Sequence, residues 1–132
     1  MSAANITATK AVASLGVADI GRSIQFYRAH FGFQIADSYE ENDETVWCWL
    51  QTASADLMLQ QLSEEQQITL DPAIGQSWVL FLRVVDINAT HRQLTKAGVE
   101  VEEVRETSYG TLEFIAKDPD GYDLWVTMPV DE

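Results

Sequence analysis

The sequence predicts an α+β domain made of two βαβββ modules that form a curved mixed sheet around a cavity. Three observations carry that prediction. One motif occurs twice, since Val17-x-Asp19-Ile20 matches Val84-x-Asp86-Ile87, Ser23 matches Thr90, and Gly32-Phe33-x-Ile35 matches Gly98-Val99-x-Val101, the two valines lying 67 residues apart. An offset of half the chain marks two copies of one supersecondary unit, not a solenoid of short repeats. Each copy holds a helix-period stripe between an aspartate and a glycine, and strand-like alternation surrounds both.

In chain order, Lys10 to Val17 is the first strand. Asp19 is a good N-cap, because its carboxylate accepts from the free amides of a first helical turn. The helix it starts carries Ile20, Ile24, Tyr27 and Phe31 on one stripe and stops at Gly32, where a left-handed residue is wanted. Strands follow at Phe33 to Asp37, Thr45 to Gln51 and Ala55 to Gln61. Leu62 to Ser77 is polar, and its Asp71-Pro72 and Gly75 argue against regular structure, so it is expected to be a connecting loop. The second copy runs from a strand at Trp78 to Val84 through a helix with Ile87, Thr90 and Leu94 on one stripe to Gly98. Its last strands are Val99 to Val104, Thr111 to Lys117 and Tyr122 to Met128. Residues 1–132 are thus one domain, with modules at 10–61 and 78–128 joined by 62–77.

Alternation assigns the faces. Ala11, Ala13, Leu15 and Val17 form one apolar row; Cys48 and Leu50, Leu57 and Leu59, Leu80, Leu82 and Val84, Leu112, Phe114 and Ala116, and Leu124 and Val126 form others. These small or aliphatic rows suit packing beneath the helices. The opposite faces mix aromatic, charged and amide groups, as a cavity lining does. They supply Trp47, Trp49, Met58, Gln60, Val79, Phe81, Arg83, Glu113 and Trp125, with Tyr109 at a rim.

At 132 residues the chain is long enough to bury roughly two-thirds of its unfolded surface. The single cysteine, Cys48, precludes an internal disulfide framework and, beside Val46, Trp47 and Trp49, is expected to be a buried inert thiol in a reducing compartment. MSAANITATK lacks the apolar run of a signal peptide, and nowhere do about 18 apolar residues run together, so a cytoplasmic location is expected. The glycosylation patterns at Asn5 and Asn88 then carry no weight. A net charge of −13 disfavours nucleic acid and anionic membrane as partners and suits a cationic or neutral ligand. Much of the excess sits in Glu40-Glu41-Asn42-Asp43-Glu44 and Glu64-Glu65, expected to be solvated loops.

Paired βαβββ units, V-x-D opening a helix, F-Y-x-x-x-F-G-F closing it, and Asp118-Pro119-Asp120-Gly121-Tyr122 in a late hairpin together resemble the vicinal oxygen chelate superfamily. That superfamily includes glyoxalase I, extradiol dioxygenases and bleomycin resistance proteins, and the likeness covers residues 10 to 128. It implies the glyoxalase/bleomycin resistance fold. Its enzymes hold a divalent metal with two histidines or glutamates from each half. The resemblance places those ligand positions at Val12, Val79, Trp125 and either Met58 or Asp56, so at least three of the four are apolar. A divalent ion needs several nitrogen or oxygen donors at about 2.0–2.2 Å, so no metal and no other cofactor is expected. His30 and His91 fall on the helices.

The tryptophans offer flat surfaces for stacking and can attract a cation through their π faces, although tryptophan also serves as core. Glu113 reads as a titrating general base or, more simply, as the ion-pair partner of Arg83. As a base it would lack any nucleophile or metal beside it. The non-metal members that the chain resembles, the bleomycin resistance proteins, are homodimers that sequester a drug in clefts between subunits. The expected function is therefore binding: sequestration of a planar or cationic aromatic compound such as an antibiotic, by a homodimer. The alternatives are a glyoxalase-like lyase, isomerase or dioxygenase with displaced ligands, and a small-molecule sensing module.

Overall fold

Two βαβββ modules are present in the computed structural model, which describes residues 6–70 and 79–130. The first module comprises β1 (Ser14–Val17), α1 (Ile20–Phe31), β2 (Gln34–Glu41), β3 (Glu44–Gln51) and β4 (Asp56–Gln61). A helix, α2 (Glu64–Leu70), follows it. The second comprises β5 (Leu80–Arg83), α3 (Ile87–Lys96), β6 (Arg105–Glu106), β7 (Thr111–Lys117) and β8 (Asp123–Pro129). Each forms its own four-stranded mixed sheet, in the orders β1-β4-β3-β2 and β5-β8-β7-β6, with the first strand parallel to the last and the remaining pairs antiparallel.

The capped helices form as their sequence dictates. Asp19 accepts from the Arg22 amide at 3.1 Å, and Asp86 accepts from the Ala89 amide at 3.0 Å. Gly32 ends α1 with φ +74°, a conformation in which its amide reaches the Tyr27 carbonyl. α1 lies on β3 and β4, and α3 on β7 and β8. Beneath them the predicted rows are buried: Leu15, Val17, Cys48, Leu50, Leu57 and Leu59 in one module, Phe114, Ala116, Leu124 and Val126 in the other. Leu80, Leu82, Val84 and Leu112 pack partly buried against that core.

Four expectations need correction. The first strand begins at Ser14, not Lys10, and Ala11 and Ala13 are exposed instead of joining the core row. The second strand runs on to Glu41, because Asn42 and Asp43 both take positive φ (52° and 66°) and close a two-residue hairpin whose twist matches the strands. The acidic run is therefore a β2–β3 hairpin and not a loop. Leu62 to Ser77 is not wholly irregular: Ser63 accepts from the Gln66 amide while Gln66 accepts from the Ser63 amide, a reciprocal capping box that starts α2 and takes Glu64 and Glu65 into its first turn. The remainder of that segment, and Trp78, lie outside the described residues. Val99 to Val104 is no regular strand, since only Val101 bridges to Ala116 before the short β6.

The modules are locked together by the Asp118–Tyr122 turn of the second pressing on the start of the first. Asp120 accepts from the Ala18 amide at 2.8 Å and from the Ser23 hydroxyl at 3.3 Å. Tyr27 donates to Asp118 at 2.7 Å, and Tyr122 donates to the Gly16 carbonyl at 2.7 Å. Asp118 also receives the amides of Asp120 and Tyr122, both at 2.9 Å. Farther along α1, Gln93 of α3 donates to the Ala29 carbonyl. Substantial contact between modules thus runs through helices and turns, and among the described residues no strand of one sheet pairs with a strand of the other.

Candidate functional site

Residues directly opposite in a ladder share a face, so the pairing register locates each side chain. In the first sheet Trp47 lies opposite Gln60 and Tyr39, and Trp49 lies opposite Met58 and Asp37. All stand on the face away from α1. Trp47, Trp49 and Met58 are half-buried, and Gln60 and Tyr39 are exposed. Trp49 is fixed at its edge, where the indole N–H donates to Asp56 at 2.8 Å. Asp56 also accepts from Gln51 at 2.7 Å and Lys10 at 3.0 Å. These donors hold its carboxyl down at about 2, the Trp49 and Gln51 bonds first among them. Tyr39 escaped the sequence reading because the strand was expected to end at Asp37; the Asn42-Asp43 turn pair was the signal for its true length.

In the second sheet Phe81, Trp125 and Ile115 form one row, and Arg83, Thr127, Glu113 and Arg105 the next. Both rows stand on the face away from α3. Phe81 is 53% exposed and Trp125 half-buried, while Val79 precedes β5 and is half-buried. Glu113 is only 3% exposed, and its partner corrects an expectation: the carboxylate accepts from the Tyr109 hydroxyl at 2.8 Å and makes no ion pair with Arg83. Arg83 stands in the row with Thr127 between it and Glu113, so its head remains exposed. The Tyr109 hydroxyl is raised above its ordinary value, chiefly by its bond to Glu113. Thr127 is fully buried, and its hydroxyl has no hydrogen-bond partner. Alternation along β8 puts Thr127 on the same side as Trp125, and the structure reveals its unmet hydroxyl.

The ten predicted site residues therefore fall into two groups, on two separate sheets whose open faces are not joined by strand pairing. A cavity of about 510 Å³ lies elsewhere, between the end of α1, the Thr52–Ala55 turn, β5 and the start of α3, and of the ten only Arg83 borders it. His30 also borders it, and burial lowers its imidazole below the ordinary histidine value. His91 meets the Glu102 carbonyl at 2.9 Å on the other helix. Cys48 is fully buried, and burial pushes its thiol up to about 11.

The metal positions implied by the fold do not fit a divalent ion. Val12, Met58, Val79 and Trp125 offer no hard donor, and the carboxylate of Asp56, the alternative to Met58, is already engaged by Trp49, Gln51 and Lys10. Among the described residues no three His, Cys, Asp or Glu side chains cluster as ligands. Nor is any described helix long and apolar enough to cross a membrane.

Comparison with known proteins agrees with this architecture. A family model described as the Glyoxalase/Bleomycin resistance protein/Dioxygenase superfamily matches residues 9–126. Among curated proteins none matches the chain. Solved structures that it resembles include TioX from Micromonospora sp. ML1 (TM-score 0.72, 17% identity, covering 92% of this chain and 99% of that one). The bleomycin resistance determinant encoded on the transposon Tn5 has a TM-score of 0.66 at 18% identity, covering 92% and 98%. TnmS3, an antibiotic binding protein from Streptomyces sp. CB03234, has a TM-score of 0.65 at 23% identity, covering 89% and 93%. At these identities the likeness is one of fold.

Proposed function

The chain belongs to the Glyoxalase/Bleomycin resistance protein/Dioxygenase superfamily, and from that premise we propose that it sequesters a planar or cationic aromatic compound, such as an antibiotic, without a metal and without chemistry. The observation that carries this reading is the pair of aromatic rows on the sheet faces opposite α1 and α3, one bearing Trp47 and Trp49, the other Phe81 and Trp125. Apolar side chains grouped on an open face favour an occupant, because burying them recovers about 25 cal/mol per Å². Indole and phenyl surfaces add about 1 kcal/mol for each well-placed aromatic partner.

Neither face encloses a ligand alone. A homodimer that sets the first face of one copy against the second face of its partner closes two equivalent clefts, as symmetry requires of an isologous pair. In that arrangement Trp47, Trp49, Met58 and Gln60 form one wall, and Val79, Phe81, Arg83, Glu113 and Trp125 form the other, with Tyr109 at the rim. Antibiotic binding by TnmS3 and bleomycin resistance by the transposon-encoded relative support the ligand class. A cytoplasmic setting agrees with the fully buried, unpaired Cys48.

Tryptophan fluorescence titrated with bleomycin and with a planar acridine dye tests the proposal, alongside light scattering for the dimer. Saturable quenching, lost at least tenfold in Trp125→Ala, is expected. A monomer that no aromatic compound quenches refutes it, as does stoichiometric transition metal in the purified protein.

A further inference from the structure

We infer that Glu113 is the receptor for a protonated nitrogen of the bound aromatic molecule, and that Tyr109 is a displaceable cap which holds the carboxylate until that nitrogen arrives. The inference rests on the binding function proposed above and adds the charge of the ligand and the point where it is read.

Two buried groups in the second sheet have unmet hydrogen-bonding capacity. Glu113 is 3% exposed, yet its carboxylate receives a single hydrogen bond, from Tyr109. A carboxylate has room for about four donors, and a buried charge without compensation is costly. Thr127 lies directly opposite Glu113 in the β7–β8 ladder, is fully buried, and has a hydroxyl without a partner. Unsatisfied buried hydroxyls are rare enough to require an explanation. Side chains opposite in an antiparallel pair have Cβ atoms about 5 Å apart, close enough for two N–H groups of one ammonium or amidinium to reach both.

Tyr109 is built to leave. It is 65% exposed and sits in the turn before β7, next to Gly110 at φ +87°. Its ring buries little, so swinging it outward forfeits little beyond one hydrogen bond. Both bonds to the carboxylate are charge-assisted, but a protonated nitrogen also neutralises the buried charge, which the phenol does not, so it displaces the phenol. Trp125 stands two residues before Thr127 on the same face, about 7 Å away along the strand. The ligand thus carries its nitrogen within a short arm of a ring that stacks on Trp125 and Phe81.

Arg83 and Arg105 occupy the same row, and both are exposed. Their charges are screened by water, whereas that of Glu113 is buried, so the carboxylate dominates the choice of ligand charge. If the arginines governed instead, an anion would bind best.

Three dyes of one ring system separate these outcomes: 9-aminoacridine (cation), acridone (neutral) and acridine-9-carboxylate (anion), titrated by tryptophan fluorescence and calorimetry. The parent protein is expected to prefer the cation at least tenfold. Glu113→Gln erases that preference by weakening the cation more than acridone, and a far-UV circular dichroism spectrum matching the parent shows the variant folded. Tyr109→Phe, at an exposed site, tightens the cation two- to fivefold by removing its competitor, and Thr127→Val weakens it. Best binding by the carboxylate dye, or equal affinity of Glu113→Gln and parent for the cation, overturns the inference while sequestration stands. Failure of all three dyes and of bleomycin to bind removes both.

Discussion

Replacing Tyr27 by phenylalanine takes one oxygen out of the joint between the modules, and the structure sets the scale of the loss. The hydroxyl donates to Asp118 at 2.7 Å; Tyr27 is fully buried and Asp118 is 4% exposed. Without it Asp118 keeps two backbone donors on one oxygen and none on the other. Removing a hydrogen bond to a buried charged acceptor costs about 1.5–3 kcal/mol. About 2 kcal/mol corresponds to a fall in Tm of about 6–10 °C for a domain of this size. The sign of the pH dependence follows from Asp118, whose carboxyl is raised by burial first, with the Tyr27 bond opposing that rise. A raised folded value means that the stability tied to Asp118 is complete below its unfolded value near ~3.9 and is lost as pH rises through the folded one. Removing the hydroxyl lifts that folded value further, so the deficit of Tyr27→Phe is largest at neutral pH and shrinks as Asp118 protonates. Urea unfolding of parent, Tyr27→Phe, Asp118→Asn and the double variant at two pH values measures it. A deficit below about 0.5 kcal/mol at pH 7, or one unchanged on acidification, refutes the assignment of Asp118 as a charged acceptor at the joint.

Asp56 behaves in the opposite sense. Its carboxyl is held at about 2 by Trp49 and Gln51, so the stability it contributes is present above its ordinary carboxylate value and disappears as pH falls toward 2, with Trp49 emission shifting over the same range. An NMR titration that places Asp56 near its ordinary value contradicts this. Gly16→Ala builds a Cβ 2.7 Å from a terminal methyl of half-buried Leu62, so that flexible side chain must shift, at a cost expected to be about 1 kcal/mol or less. Pairing it with Leu62→Ala should recover part of that loss, and strictly additive thermal shifts exclude the close approach as the cause.

The sequence made legible what depends on short-range pattern. Asp19 and Gly32, Asp86 and Gly98 bracket both helices because capping is local chemistry, and the buried rows followed from alternation because each sheet has one face under a helix. The capping box at Ser63 and Gln66 is equally local, but the loop expected over Leu62 to Ser77 rests on Asp71-Pro72 and Gly75, which lie beyond α2. Beyond reach of pattern were features set by long-range geometry. Asp118-Pro119-Asp120-Gly121-Tyr122 could be matched to a family hairpin, yet its role in clamping Gly16, Ala18, Ser23 and Tyr27 depends on contacts across about a hundred residues. The Glu113 partner illustrates the same limit: Arg83 shares its row, but parallel pairing of β5 with β8 interposes Thr127, and a turn four residues away supplies Tyr109 instead.

The joint also explains why the site divides. Each module sets one helix against one face of its four-stranded sheet, and the aromatic rows stand on the opposite face. A chain could join its open faces by setting its two sheets edge to edge. Here the Asp118–Tyr122 turn is instead committed to α1 and the end of β1, and Gln93 ties α3 to the end of α1, so the helix layers are what meet. The bonds of that turn are buried or partly buried, and breaking them to swing the modules together would strand Asp118, Asp120 and Tyr27. On the proposed function, completing the cleft then falls to a second copy, and ligand binding and dimer formation become linked equilibria. A molecule that bridges Trp49 on one copy and Trp125 on the other stabilises the pair by as much as it prefers the pair to the monomer.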